Sequence, residues 1–204
     1  MHMNEFKSQN HRRSIRLNGY DYSHAGAYFV TISTKNRECL LGKITDGEML
    51  LNDAGKMITE LWESMQERFH SALLDKFIVM PNHFHGIILL NDYKTVSGDI
   101  FEKGEYKIRP YGTAENSLGR IIQAFKSLTT NTYSNNVKNH AWLPFSGKLW
   151  QRNYYEHVIR SDDSLARIRD YIMFNPLKWE NDMENPLNGD TKKVDDYYAC
   201  LFGS

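Results

Sequence analysis

Two apolar segments separated by only two residues constrain the fold of this chain most strongly. Residues 74–80 (LDKFIVM) and 83–90 (HFHGIILL) are rich in β-branched and aromatic side chains, a composition typical of strands. Pro81 and Asn82 interrupt the run between them. Because parallel strands need a long crossover, so short a connection predicts that the two strands are antiparallel.

Further strands and helices surround this pair in a regular order. Residues 26–36 predict a strand, and residues 38–53 predict a hairpin with Asp46-Gly47 at its turn. Three amphipathic helices follow candidate capping residues, which are Asn52 or Asp53, Asn116 or Ser117, and Ser161. The order predicts an α+β fold of the ferredoxin-like (RRM-like) type, an antiparallel sheet with helices packed on one face.

The chain divides into three parts. Residues 1–24 predict a basic N-terminal arm, residues 25–180 predict the functional domain, and residues 181–204 predict a C-terminal tail. Within the domain, residues 91–115 are polar without a clear period, and the aromatic-rich residues 140–160 indicate no definite secondary structure.

Composition limits the classes of function. The net charge is zero, so binding to DNA requires a local basic surface. Cys39 and Cys200 form neither a disulfide framework nor a CxxC metal motif, which favours a reducing cytoplasm. No apolar run is long enough to span a membrane, and no signal peptide is evident, so we expect a cytoplasmic protein without a membrane partner.

Two histidines interrupt the apolar strand at residues 83–90. His83 and His85 are two residues apart, so their imidazoles point to one face of the strand while Phe84 points to the other. Such a pair can present two nitrogens to one divalent cation, and a metal site usually needs a third ligand. The pair alone is a weak signal, and by itself it favours two histidines without a metal.

The third predicted helix carries residues that complement the histidines. Tyr171 and Asn175 are four residues apart and share a helix face, with Arg167 four residues earlier on the same side. If this face packs beside the histidines, Asn175 offers an oxygen ligand and Tyr171 offers a nucleophile for a phosphate. A half-buried tyrosine at the edge of the core is the alternative interpretation.

Several segments together resemble one protein family. The sequence MPNHFHGIILL is similar to the HUH signature, in which two histidines flank a hydrophobic residue, and RIRDYIMFNPLKW resembles the nucleophile helix of single-tyrosine HUH transposases. The resemblance is closest to the REP-associated tyrosine transposases and the related insertion-sequence enzymes. It extends to GAYFVTISTKNRECLLG, AFKSLTT and LWQRNYYEHVIR, and so covers roughly residues 12–185.

This resemblance implies a function and a mechanism. His83 and His85 would bind Mg²⁺ or Mn²⁺, and Tyr171 would attack single-stranded DNA at a hairpin or palindromic repeat. The products would be a 5′-phosphotyrosine link and a free 3′-OH. Asn175 stands where the insertion-sequence enzymes usually carry a glutamine, and it would be the third metal ligand. Members of the family act as monomers or homodimers.

Other aromatic and basic residues are candidates for the nucleophile or for DNA contacts. Tyr154 and Tyr155 are rival nucleophiles, although neither has an Asn or Gln four residues on. Mixed aromatic and basic groups suit stacking on unpaired bases and phosphate contacts. The candidate DNA-binding residues are Arg12, Arg13, Arg16, Lys126, Trp150, Arg152, Tyr154, Arg160 and Arg167.

Two alternatives remain at this point. A DNA-binding regulator that keeps the fold but has lost catalysis is the first, although the histidines, the tyrosine and the amide are all present. The second is a metal hydrolase of another kind, for which His140 and His157 would be further ligands, but these lie in no recognisable pattern.

Overall fold

The computed structural model describes residues 25–91 and 117–188, together with residues 197, 198, 201 and 202. Within these ranges the strands are β1 (Gly26–Ser33), β2 (Gly42–Thr45), β3 (Glu48–Leu51), β4 (Ala72–Val79), β5 (His83–Leu90) and β6 (Tyr155–Ile159). The α-helices are α1 (Asp53–Glu63), α2 (Met65–Arg68), α3 (Leu118–Asn139) and α4 (Asp162–Met173), and short 3₁₀ helices span Lys35–Arg37 and Pro176–Asn181.

The main sheet has the topology that the sequence predicts. Its strands lie in the order β4-β5-β1-β6, all antiparallel, and β2 and β3 form a separate hairpin. Without that hairpin, the order strand, helix, strand, strand, helix, strand is the ferredoxin-like arrangement. The predicted α+β class is therefore confirmed.

The helices pack on both faces of the sheet, which corrects the expectation of a single covered face. Side chains alternate along β1 and β5, so one face presents Phe84 and the other presents Phe29 and Ile87. Phe84 packs against Trp62 of α1 and the α3 residue Phe125, with ring centroids 4.5 and 5.3 Å apart. The opposite face packs against α4 through Ile168 and Ile172. The reason is that α4 lies outside the ferredoxin-like unit and covers the face that α1 and α3 leave open.

Local signals in the sequence account for most element boundaries. The side chains of Asn52, Ser117 and Ser161 accept hydrogen bonds from the first turns of α1, α3 and α4, as capping residues do. The turn between β2 and β3 places Asp46 at φ 51° and Gly47 at φ 77°, a pair of positive values that suits a tight hairpin.

Strand β6 is the element that sequence reasoning missed within residues 140–160. It is an edge strand, half-buried in its first three residues, and it lacks a clear alternation of apolar and polar side chains. The proposed arm at residues 1–24 and nearly all of the 91–115 loop lie outside the described residues. The division into arm, domain and tail stays a prediction. Among the helices that the structure describes, none combines the length and apolar character that crossing a bilayer requires.

Candidate metal and nucleophile site

Two histidine nitrogens face each other in the interior of the protein. His83 and His85 lie on the central strand β5, opposite Ser33 and Thr31 of β1. Both side chains are fully buried, and their Nε2 atoms are 3.0 Å apart. The period of a strand places both rings on the face that α4 covers.

The remaining ring nitrogen of His83 has a fixed hydrogen-bonding role. Its Nδ1 lies 2.9 Å from Oδ1 of Asn82. The Asn82 amide nitrogen donates to the carbonyl oxygens of Arg37 and Glu184, at 3.0 and 2.7 Å. Because these two bonds orient the amide, its oxygen must face the ring and accept from Nδ1–H. Nε2 of neutral His83 then carries a lone pair that is free to bind a cation.

The second histidine is held in the same tautomer. Nδ1 of His85 lies 2.9 Å from the hydroxyl oxygen of Thr31, and that hydroxyl donates its proton to the Tyr198 oxygen at 3.2 Å. Thr31 therefore accepts from Nδ1–H of His85, and Nε2 of His85 also carries a free lone pair. Two acceptors 3.0 Å apart repel each other unless a cation lies between them, so this arrangement fits a metal site.

Burial keeps both imidazoles neutral. It lowers the pKa of His83, whereas the negative charges of Asp182 and Glu184 act to raise that pKa and the positive charge of Arg37 acts to lower it. Burial also lowers the pKa of His85 well below its ordinary value, and the neighbouring His83 contributes in the same direction. Neutral imidazole is the form that binds metals, so no proton has to be displaced near neutral pH.

A carboxylate that the sequence analysis missed completes a three-residue cluster. Ligand atoms of His83, His85 and Asp182 all lie within 4.8 Å of one another, and all three residues are buried. Asp182 follows the 3₁₀ helix Pro176–Asn181, and its Oδ1 accepts from the backbone N–H of Glu184 at 2.7 Å. The only hint in the sequence is the acidic stretch at residues 180–184, which resembles a solvated surface.

Asn175, predicted as the third ligand, lies beside this carboxylate. Its amide nitrogen donates to Oδ2 of Asp182 at 3.1 Å. A carboxylate only accepts hydrogen bonds, so the amide nitrogen must face it and Oδ1 points elsewhere. That oxygen is buried and has no hydrogen-bond partner among the described residues. A buried oxygen without a partner is destabilising, so this oxygen is an unused acceptor next to the cluster.

The predicted nucleophile reaches the same cluster from α4. The Tyr171 oxygen is 3.4 Å from Nε2 of His85, and the two ring centroids are 5.3 Å apart. Tyr171 is only 6% exposed. Burial raises its pKa well above the ordinary value, with smaller contributions from Tyr198 and Asp182. The phenol is therefore protonated at neutral pH and needs a positive charge nearby to become nucleophilic.

Aromatic residues near the C-terminus cover this site. Tyr198 and Phe202 are both buried and lie 6.2 and 5.3 Å from Tyr171 between ring centroids. Both rings also contact Phe29 of β1. These residues belong to the aromatic pattern YYACLF at the end of the chain, which the sequence analysis assigned to a tail.

The rival tyrosines have other surroundings. Tyr154 packs against the core on the α1 and α3 side of the sheet. Tyr155 lies on the α4 side and stacks on Tyr198 with centroids 4.4 Å apart. Of Tyr154, Tyr155 and Tyr171, it is Tyr171 that the described contacts place against His85.

Two of the predicted DNA-binding residues are engaged by other parts of the protein. Trp150 is 3% exposed and donates from Nε1 to the hydroxyl of Thr129 at 2.8 Å, so its ring is not available for stacking on a base. Lys126 is half-buried and donates to three backbone carbonyls, so its ammonium group is already engaged by the protein. Arg152, Arg160 and Arg167 are exposed. Arg12, Arg13 and Arg16 lie outside the described residues.

The remaining histidine candidates lie apart from the cluster. His140 is exposed at the end of α3, and His157 lies on β6 beside Phe202. Among the described residues, His83, His85 and Asp182 form the group of potential metal ligands. This separation removes the structural basis for a hydrolase that uses His140 or His157 as further ligands.

The α+β fold thus brings two histidines, a carboxylate and a tyrosine together at one buried site. No protein-family model matches the chain. The chain is 39% identical over 173 residues to an uncharacterised protein of Haemophilus influenzae, covering 84% of this chain and 92% of that protein. It is 53% identical over 158 residues to a protein of the same organism named "Putative REP-associated tyrosine transposase", covering 78% and 74% of the two chains.

A solved structure shows the same fold. It is a REP-associated tyrosine transposase bound to a REP hairpin, with a TM-score of 0.51 and 19% identity over 78% of this chain and 71% of that chain. The chain belongs to the family of REP-associated tyrosine transposases.

Proposed function

We propose that this protein cleaves and rejoins single-stranded DNA through a covalent phosphotyrosine link. The observation that carries the proposal is the contact between the Tyr171 oxygen and Nε2 of His85, at 3.4 Å, beside the second free imidazole nitrogen of His83. A nucleophilic hydroxyl next to a group of metal ligands is the arrangement that attack on a phosphodiester requires.

The residues present fit a divalent cation. His83 and His85 would supply two nitrogens, and Asp182 and Asn175 would supply two oxygens. This mixed set suits Mn²⁺ and is compatible with Mg²⁺, the two ions that the sequence resemblance implies. When bound, the cation would polarise the scissile phosphate and offset its negative charge.

Tyr171 performs the covalent step. Its oxygen forms a bond to phosphorus and loses its proton to water, while the bond from phosphorus to the 3′ oxygen breaks. The 3′ oxygen takes up a proton and leaves as a hydroxyl group, and the 5′ end stays on the tyrosine. Attack by a 3′-OH on this link reverses the step and joins two strands without an energy cofactor.

The DNA partner that we propose is a hairpin or palindromic repeat with a single-stranded flank. Family membership supports this choice, and the structure with the same fold is bound to a REP hairpin. The net charge of zero means that contact depends on local cations, and Arg152, Arg160 and Arg167 are exposed on the described surface.

A cleavage assay tests the proposal. The wild-type protein is incubated with Mn²⁺ and labelled hairpin DNA from the flanks of its own gene, and denaturing gels detect a protein–DNA adduct. We expect Tyr171→Phe and His83→Ala to abolish the adduct, whereas Tyr155→Phe retains it. An adduct that survives Tyr171→Phe assigns the nucleophile to another tyrosine. Tight hairpin binding without any adduct would instead indicate a regulator.

A further inference from the structure

Lys126 makes an unusual set of contacts on the face of the sheet opposite the histidines. It lies in α3, and its Nζ donates to the backbone carbonyl oxygens of Gln151, Asn153 and Arg152, at 2.6, 3.2 and 3.4 Å. An ammonium group has three N–H donors and here it meets three consecutive carbonyls. The contact set matches the donor capacity of the side chain.

These carbonyls belong to a bulge in the edge of the sheet. Gln151 donates from its N–H to the Ser33 carbonyl oxygen at 2.9 Å, and Tyr155 pairs with Thr31. Three residues, 152–154, thus oppose the single residue Ile32 of β1. A bulge locally disrupts the ladder of hydrogen bonds between two strands, so contacts from outside the sheet help to order it.

The ammonium group of Lys126 fixes the backbone of the bulge by binding its carbonyl oxygens. Three consecutive carbonyl oxygens that converge on one point repel one another, and a positive charge at that point removes the repulsion. Burial lowers the pKa of Lys126 to about 8, so the side chain still carries its charge at neutral pH. A partly buried charge of this kind is stabilised by hydrogen-bonded partners, and the three carbonyls provide them.

The position of the bulge relates it to the site. On the other edge of β1, Ser33 pairs with His83 and Thr31 pairs with His85. The bulge therefore lies at the level of the two histidines, one strand further across the sheet. Its residues Arg152 and Asn153 are both exposed, whereas their carbonyl oxygens are held by Lys126.

We propose that Lys126 is a positioning residue that holds the backbone carbonyls of residues 151–153 at this bulge, so that Arg152 contacts the phosphodiester backbone of single-stranded DNA beside the scissile position. The inference rests on the proposed function. It reassigns Lys126 from a direct DNA contact to an indirect one, and it retains the DNA contact for Arg152. An exposed guanidinium on an ordered backbone binds a phosphate with less loss of conformational freedom than one on a flexible loop.

Binding of labelled hairpin DNA with a single-stranded flank tests the inference. The measurements are the Kd by fluorescence anisotropy at several salt concentrations and the amount of covalent adduct at saturating DNA. The variants are Arg152→Ala, Lys126→Met and the double variant. Lys138→Met serves as the control, because Lys138 is an exposed lysine on the same helix.

We expect each single variant to weaken binding by about three- to tenfold and to reduce the salt dependence by about one phosphate contact. The double variant should bind no more weakly than Arg152→Ala alone, because Lys126 acts through Arg152. Lys138→Met should bind within about twofold of the wild type. Additive losses in the double variant would overturn the inference, as would an unchanged Kd for Lys126→Met.

Arg152→Ala keeps the inference testable even if Lys126→Met does not fold, because the Arg152 side chain is exposed. An unchanged Kd for Arg152→Ala then overturns the inference by itself. The two proposals also fail in different ways. If the wild type forms the adduct and the variants bind DNA as tightly as the wild type, the proposed function stands and the positioning role of Lys126 is rejected. If the single and double variants lose DNA affinity to the same extent but the wild type forms no adduct, the positioning role of Lys126 stands and the phosphotyrosine mechanism is rejected.

Discussion

The Nε2 atoms of His83 and His85 lie 3.0 Å apart, and each ring uses its Nδ1 atom for a hydrogen bond to a fixed acceptor. The two acceptors, Asn82 and Thr31, are themselves oriented by further hydrogen bonds. The site is therefore organised before any cation arrives. Loss of such an outer contact typically lowers metal affinity by about 10- to 100-fold.

Thr31→Val tests the role of the acceptor. The change removes the oxygen that accepts from Nδ1–H of His85 while it keeps the volume of the side chain. We expect affinity for Mn²⁺ to fall by about 10- to 100-fold, measured by isothermal titration calorimetry. Thr34→Val is the matched control, because Thr34 is also buried but its hydroxyl donates to the Glu38 carbonyl. Equal losses of Mn²⁺ affinity in both variants would contradict the role of Thr31 as the acceptor for His85.

Asp182→Asn tests the carboxylate that the fold brings to the histidines. The change removes the negative charge from the ligand cluster and keeps its shape, so we expect affinity for Mn²⁺ to fall by about tenfold or more. Glu180→Gln on the adjoining 3₁₀ helix is the control, since Glu180 is exposed. If Asp182→Asn binds Mn²⁺ as the wild type does, the oxygen ligands must be sought elsewhere, first at Asn175.

The stability of the metal-free protein should decrease in acid. The pKa values of His83 and His85 are lowered in the folded state, so below pH 6.5 the unfolded chain binds protons that the folded protein does not. Stability is then complete above pH 6.5 and falls as the pH decreases. The slope is about 1.4 kcal/mol per pH unit for each histidine, until its folded pKa is reached.

Urea unfolding in the presence of a chelator at pH 7.5 and pH 5.5 measures this effect. His85→Gln should lose part of the difference between the two pH values. His140→Gln should retain all of it, because His140 is exposed at the end of α3. A difference that is the same in the wild type and in His85→Gln would show that this histidine is not the source.

The ion pair between Asp75 and Arg169 should stabilise the helix that carries Tyr171. The Arg169 guanidinium donates through Nε and Nη2 to the Asp75 carboxylate, with Nε to Oδ2 at 3.0 Å. Because Arg169 is 42% exposed, solvent screens the pair, and we expect Asp75→Asn to cost about 1 kcal/mol of unfolding free energy.

Chemical denaturation measures this cost, and Asp53→Asn provides a comparison from the exposed pair between Asp53 and Lys56. The exposed pair should contribute less than about 0.5 kcal/mol. A smaller loss for Asp75→Asn than for Asp53→Asn would contradict the expected order.

Local patterns in the sequence were sufficient to predict the positions of most helices and strands. The alternation in HFHGIILL predicts that His83 and His85 share a face, and the caps at Asn52, Ser117 and Ser161 predict where three helices begin. These features depend on neighbours within about four residues, which is why the sequence reveals them. The predicted helix face shared by Tyr171 and Asn175 is different, because α4 ends at Met173 and Asn175 lies beyond it.

Tertiary structure decided what those residues contact. It placed α4 on the face opposite α1 and α3, brought Asp182 from beyond the 3₁₀ helix to the histidines, and gave Lys126 three carbonyl partners. Each of these contacts joins segments separated by 25 or more residues. No periodicity or capping residue predicts such a contact, because it arises only when the packed sheet brings distant segments together.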